Sequence, residues 1–154
     1  MDNDLHGCNL RKGRCSLPGQ IYLLTAATHR RKTFFADLII GRLVVREFIR
    51  TAASGYADTI AFVVMPDHFH WLVSRGAPLS LSNLVGNVKG HSARTINTAR
   101  GRIGEAVWQR GFHDHALRNE ESVKEVARYI VANPLRAGLV RRVEDYPLWD
   151  VAWL

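Results

Sequence analysis

An α+β fold is predicted, an antiparallel four-stranded sheet with helices packed on one face. Three observations predict it. Hydrophobic patterning along the 154 residues runs in the order strand, helix, strand, strand, helix, strand, helix. Pro66-Asp67 supplies a tight turn between the second and third strand patterns, so these pair as a hairpin. No internal repeat or linker divides the chain, whose length suits one substantial core. This order is a split βαβ unit, the ferredoxin-like plan. Residues 1–154 are expected to form a single domain, with a basic N-terminal arm over 1–18 and a C-terminal tail over 135–154.

Each element has its own signal. Residues 1–18 are rich in Gly, Arg and polar groups and read as an extended arm suited to a polyanion. Cys8 and Cys15 fit no common zinc spacing and read as free thiols. Gln20 to His29 is apolar enough for a central strand, and Arg30-Arg31-Lys32 follows as a basic loop. Asp37 to Ser54 has helical periodicity, with Leu38, Leu43, Val44 or Val45, Phe48 and Ala52 on one face. Asp37 caps its start and Gly55 its end. Tyr56 to Met65 and His68 to Ser74 are the hairpin strands.

Leu79 to Arg100 is a second helix, in which Gly86 and Gly90 suggest close approach of a backbone or ligand. Ala106 to Arg118 reads as a fourth strand. Asn119 caps a third helix, with Glu120 and Glu121 in its first turn; Pro134 stops it near Ala132. The four tryptophans, Trp71, Trp108, Trp149 and Trp153, read as core residues before base-stacking ones.

Charge narrows the function. Lys and Arg total 21 against 14 Asp and Glu, a net +7 with a pI near 10.0. Only Lys12, Lys32, Lys89 and Lys124 are lysines, and an Arg-dominated surface suits bidentate phosphate contacts. No apolar run approaches the ~20 residues of a spanning helix. The N-terminus lacks the features of a secretory signal, so a cytoplasmic, nucleoid-associated location is expected.

The stretch Met65-Pro66-Asp67-His68-Phe69-His70-Trp71-Leu72-Val73 carries the chemistry. Strand alternation puts His68 and His70 on one face and Phe69 on the other, making a two-imidazole pincer for a divalent metal. On the third helix, Ala127 and Ile130 lie within about 40° of Val123 and define the buried stripe. Tyr129 lies about 120° from Val123, at the stripe's edge, with Asn133 on nearly the same side. A phenol attacks phosphorus only where a cation polarises the phosphate. The pincer beside Tyr129 supplies that arrangement, and the Asn133 carboxamide suits the ligand set. Mixed nitrogen and oxygen ligands suit Mg²⁺ or Mn²⁺, and Zn²⁺ as well.

MPDHFHWLV, WQRGFHDHALR and ARYIVANPLRAGLV, in this order, resemble the IS200/IS605-type Y1 transposases. The chain is most similar to their domesticated relatives, the REP-associated tyrosine transposases, whose start GRCSLPGQIYLLTAATHR also resembles. The resemblance runs from about Gly13 to Val143. It implies a metal-dependent single-stranded DNA endonuclease and strand transferase acting on hairpins of palindromic repeats. His68 and His70 match the metal pair, Tyr129 the nucleophile that forms a 5′-phosphotyrosine link, and Asn133 the polar ligand. Lys89, Arg94, Arg136, Arg141 and Arg142 are candidate DNA contacts; monomer and homodimer both fit.

A second His-x-His, His113-Asp114-His115, ranks below the first, because no matching nucleophile sits near it; a buried, hydrogen-bonded histidine is the simpler reading. Metallo-hydrolases also use His-x-His, but one common form needs Asp-His where Leu72-Val73 stand, and barrel hydrolases need a longer chain. The alternative of another class is a non-catalytic nucleic-acid-binding module derived from a transposase. The intact trio His68, His70 and Tyr129 favours activity.

Overall fold

In the computed structural model, which describes residues 20–76, 79–118 and 120–152, five strands form one antiparallel sheet in the order β4-β1-β3-β2-β5. These are β1 (Ile21–Ala27), β2 (Ala57–Met65), β3 (His68–Arg75), β4 (His113–Ala116) and β5 (Trp149–Val151). The helices are α1 (Leu38–Ala53), α2 (Leu81–Ala99), α3 (Glu120–Val131) and the one-turn α4 (Asn133–Arg136). The first four strands follow the split βαβ plan, and β2 and β3 pair across the Pro66-Asp67 turn. The N-terminal arm with Cys8 and Cys15, the Asn119 cap and Trp153 lie outside the described residues.

Alternation divides the sheet into two faces. On one, Phe48 of α1 stacks on Trp71 at 4.6 Å between centroids and meets Phe69 edge-on at 5.1 Å and Phe62 at 5.3 Å. The stripe α1 buries is Ile40, Val44, Phe48 and Thr51. Leu38, expected on that stripe, is 41% exposed, because at about 100° per residue it lies roughly 200° around the helix from buried Ile40. Gly55, at φ 79°, ends the helix as expected. Helix α2 packs beside α1 through Leu84, Val88 and Ile96.

The third helix departs from a one-faced arrangement. α3 packs on β2 and β5, on the face opposite α1, with Ala127 and Ile130 buried as its periodicity predicts. β2 is therefore covered on both sides, and Ala61 through Met65 are all buried.

Two further differences have local causes. The fourth strand is only His113–Ala116, with a single bridge between Thr28 and Trp108 before it. Residues 106–112 turn aside because Lys89 Nζ donates to the carbonyls of Gln109 (2.7 Å) and Gly111 (2.6 Å) and because Gly111 adopts φ 76°. Trp108 is half-buried against Phe35 and Phe69 and donates to Ser92 Oγ at 3.0 Å. The tail supplies the fifth strand where four strands were expected. β2 would otherwise be an open edge, and the tail closes it: Val64 N donates to Leu148 O, and Tyr146 Oη donates to Val64 O. Pro134 opens α4 after ending α3, since a missing N–H is tolerated in a first turn.

Among the described residues no helix is long and apolar enough to cross a membrane. Trp71 is fully buried, and Trp149 Nε1 donates to Val143 O, so these two also serve packing. Phe48→Ala should destabilise the fold by about 3–5 kcal/mol, the range for emptying a buried aromatic site, measured by urea unfolding.

Candidate functional site

His68 and His70 sit on the face of β3 away from Phe48, both part-buried, with ring centroids 5.0 Å apart and planes at 84°. Each Nδ1 has an oxygen beside it. His68 Nδ1 is 2.8 Å from Asp67 Oδ1, and His70 Nδ1 is 2.8 Å from Thr25 Oγ1. Thr25 is there because β1 and β3 pair with Thr25 opposite His70. In the tautomer with the proton on Nδ1, both oxygens accept it and both Nε2 lone pairs are free for an ion.

Asp67 also accepts from Arg31 Nε at 3.0 Å, through Oδ2, so one carboxylate joins Arg31 to His68. Arg30 and Arg31 both adopt φ 56°, a conformation that costs a non-glycine residue of order 1 kcal/mol. The surroundings hold it. Thr28 N donates to Asp67 O at 2.9 Å, and Thr28 Oγ1 lies 2.7 Å from Lys32 O and 3.1 Å from Asp67 O. His29 N donates to Val107 O, and Phe35 N to Pro66 O. The basic loop after β1 thus clamps the hairpin turn that carries Asp67.

Tyr129 is 62% exposed on α3. The Arg136 guanidinium lies 3.7 Å from its ring centroid and donates to Asn133 Oδ1 at 2.5 Å. Nδ2 of the same amide is buried without a partner. Arg136 also bears on the pincer: burial first, then the charges of His68 and Arg136, push His70 down to about 4 from 6.5. Tyr129, Asn133 and Arg136 are therefore linked by direct contacts, and α3, which carries Tyr129, packs on β2, the strand beside that of the His pair.

These residues fit a divalent metal. Each imidazole has an oxygen holding it at Nδ1, the Asp67 carboxylate for His68 and the Thr25 hydroxyl for His70, and His70 is uncharged at neutral pH, the form that binds metal. Among the described residues no group of three or more His, Cys, Asp and Glu gathers. The remaining positions would fall to the Asn133 carboxamide, water and substrate, the open coordination of a catalytic ion.

The other candidates lie elsewhere. Lys89 and Arg94 belong to α2, in the opposite layer, and Lys89 is occupied by the two carbonyls it holds. Arg141 is exposed, and Arg142 pairs with Glu144 at 3.4 Å. Gly86 and Gly90 face open space, with no atom within 4 Å of an added Cβ, so no neighbouring backbone of the described residues approaches closely there. His113 and His115 are exposed rather than buried. Their register with Thr25 and Leu23 puts them on the same face as His70, at the sheet edge.

Asp67, Thr25 and Arg31 escaped the sequence reading as members of the site. Asp67 had a signal, its place beside His68. Thr25 and Arg31 had none, since only strand register and loop conformation bring them in.

Unfolded, His70 takes a proton near pH 6.5; folded, only near 4. Between these values the unfolded state binds more protons, so this contribution to stability is present above pH 6.5 and lost as pH falls towards 4. Urea unfolding of metal-free protein should show that loss, and His70→Asn should flatten it.

Residues 18–133 match the family described as "Transposase IS200 like". A Haemophilus influenzae protein assigned to the REP-associated tyrosine transposases is 26% identical over 142 residues, covering 84% of this chain and 78% of its own. The REP-associated tyrosine transposase of Escherichia coli K12 is 29% identical over 89 residues, 56% of this chain and 50% of that one. A solved REP-associated tyrosine transposase bound to a REP hairpin shares the fold, with TM-score 0.70 and 23% identity over 87% of this chain and 78% of that chain. The family match takes in β1 to α3 with the His pair, Tyr129 and Asn133, well over half of the 154 residues, and the chain belongs to the IS200-like Y1 transposases.

Proposed function

We propose that the protein is a metal-dependent single-stranded DNA endonuclease and strand transferase that acts on hairpins of palindromic repeats. The observation that carries this reading is an exposed Tyr129 in contact with the Arg136 that also holds Asn133, beside a His pair whose Nδ1 atoms are each engaged by an oxygen. The relatives are named for REP elements, and the solved one is bound to a REP hairpin, which supports hairpin DNA as the substrate.

His68, His70 and Asn133 would hold Mg²⁺ or Mn²⁺, which supplies polarisation of the scissile phosphate and charge stabilisation. Tyr129 Oη attacks phosphorus, and its proton passes to solvent. The bond from phosphorus to the 3′ oxygen breaks, and that oxygen takes a proton from solvent, leaving a free 3′-hydroxyl and a 5′-phosphotyrosine. Attack of a 3′-hydroxyl on that link restores the phenol and joins the strands. Asp67, which can only accept, keeps His68 in the tautomer that leaves Nε2 free, and Thr25 holds the His70 ring in place. The net +7 charge favours a polyanion and makes its binding salt-sensitive.

Incubation with single-stranded hairpin DNA and Mn²⁺ should give an adduct that survives denaturing electrophoresis. Tyr129→Phe should form none; an adduct as abundant as the wild type's would refute the assignment. His68→Ala should still bind DNA, by gel shift, while losing cleavage. Asp67→Asn should weaken Mn²⁺ binding by about tenfold, the lower end for an outer partner of a ligating histidine, measured by titration calorimetry.

A further inference from the structure

The Arg136 guanidinium stands at the junction of the site. It covers the Tyr129 ring at 3.7 Å and donates to Asn133 Oδ1 at 2.5 Å. Arg136 is the last residue of α4, and its side chain returns over the α3–α4 junction to reach both residues. In the metal-dependent reading Asn133 Oδ1 is a ligand atom, and a guanidinium already occupies it. The amide's other end, Nδ2, is buried without a protein partner, so Arg136 is the amide's one hydrogen-bonded neighbour among the described side chains. A second cation on the same oxygen would meet Arg136 at close range, and like charges there repel.

We propose that Arg136 is a resident cation that a divalent metal must displace: it holds the Asn133 oxygen and covers Tyr129 in the ligand-free chain, and it releases both as the metal enters. The proposal rests on the metal-dependent reading above. Once released, the guanidinium stays tethered beside the reacting phosphate and is suited to two of its oxygens at once. Resting and loaded states then differ by the exchange of one amide oxygen between two cations. Arg136 acts here as a positioning residue through Asn133 and Tyr129.

The test needs no turnover. Mn²⁺ is titrated into DNA-free protein and followed by electron paramagnetic resonance for wild type, Arg136→Ala, Arg136→Lys and His68→Ala. Removing one charged hydrogen bond from the competition should make Arg136→Ala bind about tenfold more tightly. Arg136→Lys keeps the charge without the planar fork and should fall between. In parallel, nitration of Tyr129 by tetranitromethane, mapped by mass spectrometry, should be faster in metal-free Arg136→Ala than in wild type. It should also rise in wild type when Mn²⁺ is added. Unchanged or weaker Mn²⁺ binding in Arg136→Ala, still abolished by His68→Ala, overturns the role of Arg136 and leaves the metal reading intact. Mn²⁺ that binds His68→Ala as well as wild type removes the metal reading, and this proposal with it. Arg136 is exposed, so its variants should fold, and Arg136→Lys checks the competition if Arg136→Ala does not.

Discussion

Phe69 and Trp71, buried against Phe48, set the register of β3, and the His pair depends on that register. A slip of one residue would turn both imidazoles into the aromatic core and bring Phe69 and Trp71 to the other face. Trp71 Nε1 adds a directional tie, donating to Thr59 Oγ1 at 2.9 Å. The apolar half of the strand thus orients the polar half. Rigid elements of this kind hold a site more closely than loops do.

Around that strand the two layers have different tasks. α1 and α2 cover the aromatic face and contribute most of the packing, while α3 and α4 bring Tyr129, Asn133 and Arg136 to the histidine face. The loop after β1 links the layers to the turn. Its left-handed arginines are held by Thr28 and by contacts to Val107 and Pro66, and they place Arg31 on the carboxylate that orients His68. The orientation of one imidazole therefore depends on backbone conformation some 40 residues earlier in the chain.

Most of the architecture was legible because it rests on local rules. The hairpin turn at Pro66-Asp67, the Asp37 cap, the Gly55 stop and the stripe through Ala127 and Ile130 are all short-range signals, and each appears where expected. The misses are tertiary. Nothing near 106–112 announces that Lys89 holds those carbonyls, so the fourth strand looked longer than it is. A tail with scattered aromatics carries no clear strand period, and it pairs because β2 offers an open edge. At the site, the spacing of His68, His70, Tyr129 and Asn133 was readable, but the neighbours that tune them were not. Arg136 looked like one surface cation among several until the helix junction folded it over Tyr129.

The tail strand has a consequence beyond completing the sheet. The long apolar strands, IYLLTAA and ADTIAFVVM, are interior, while the rims are the four residues of β4 and the three of β5. Short rims expose few unpaired amides and carbonyls, and β4 bears two histidines and an aspartate instead of apolar side chains. The arrangement discourages strand-on-strand polymerisation between molecules, so a chain with such adhesive segments can stay dispersed at high concentration.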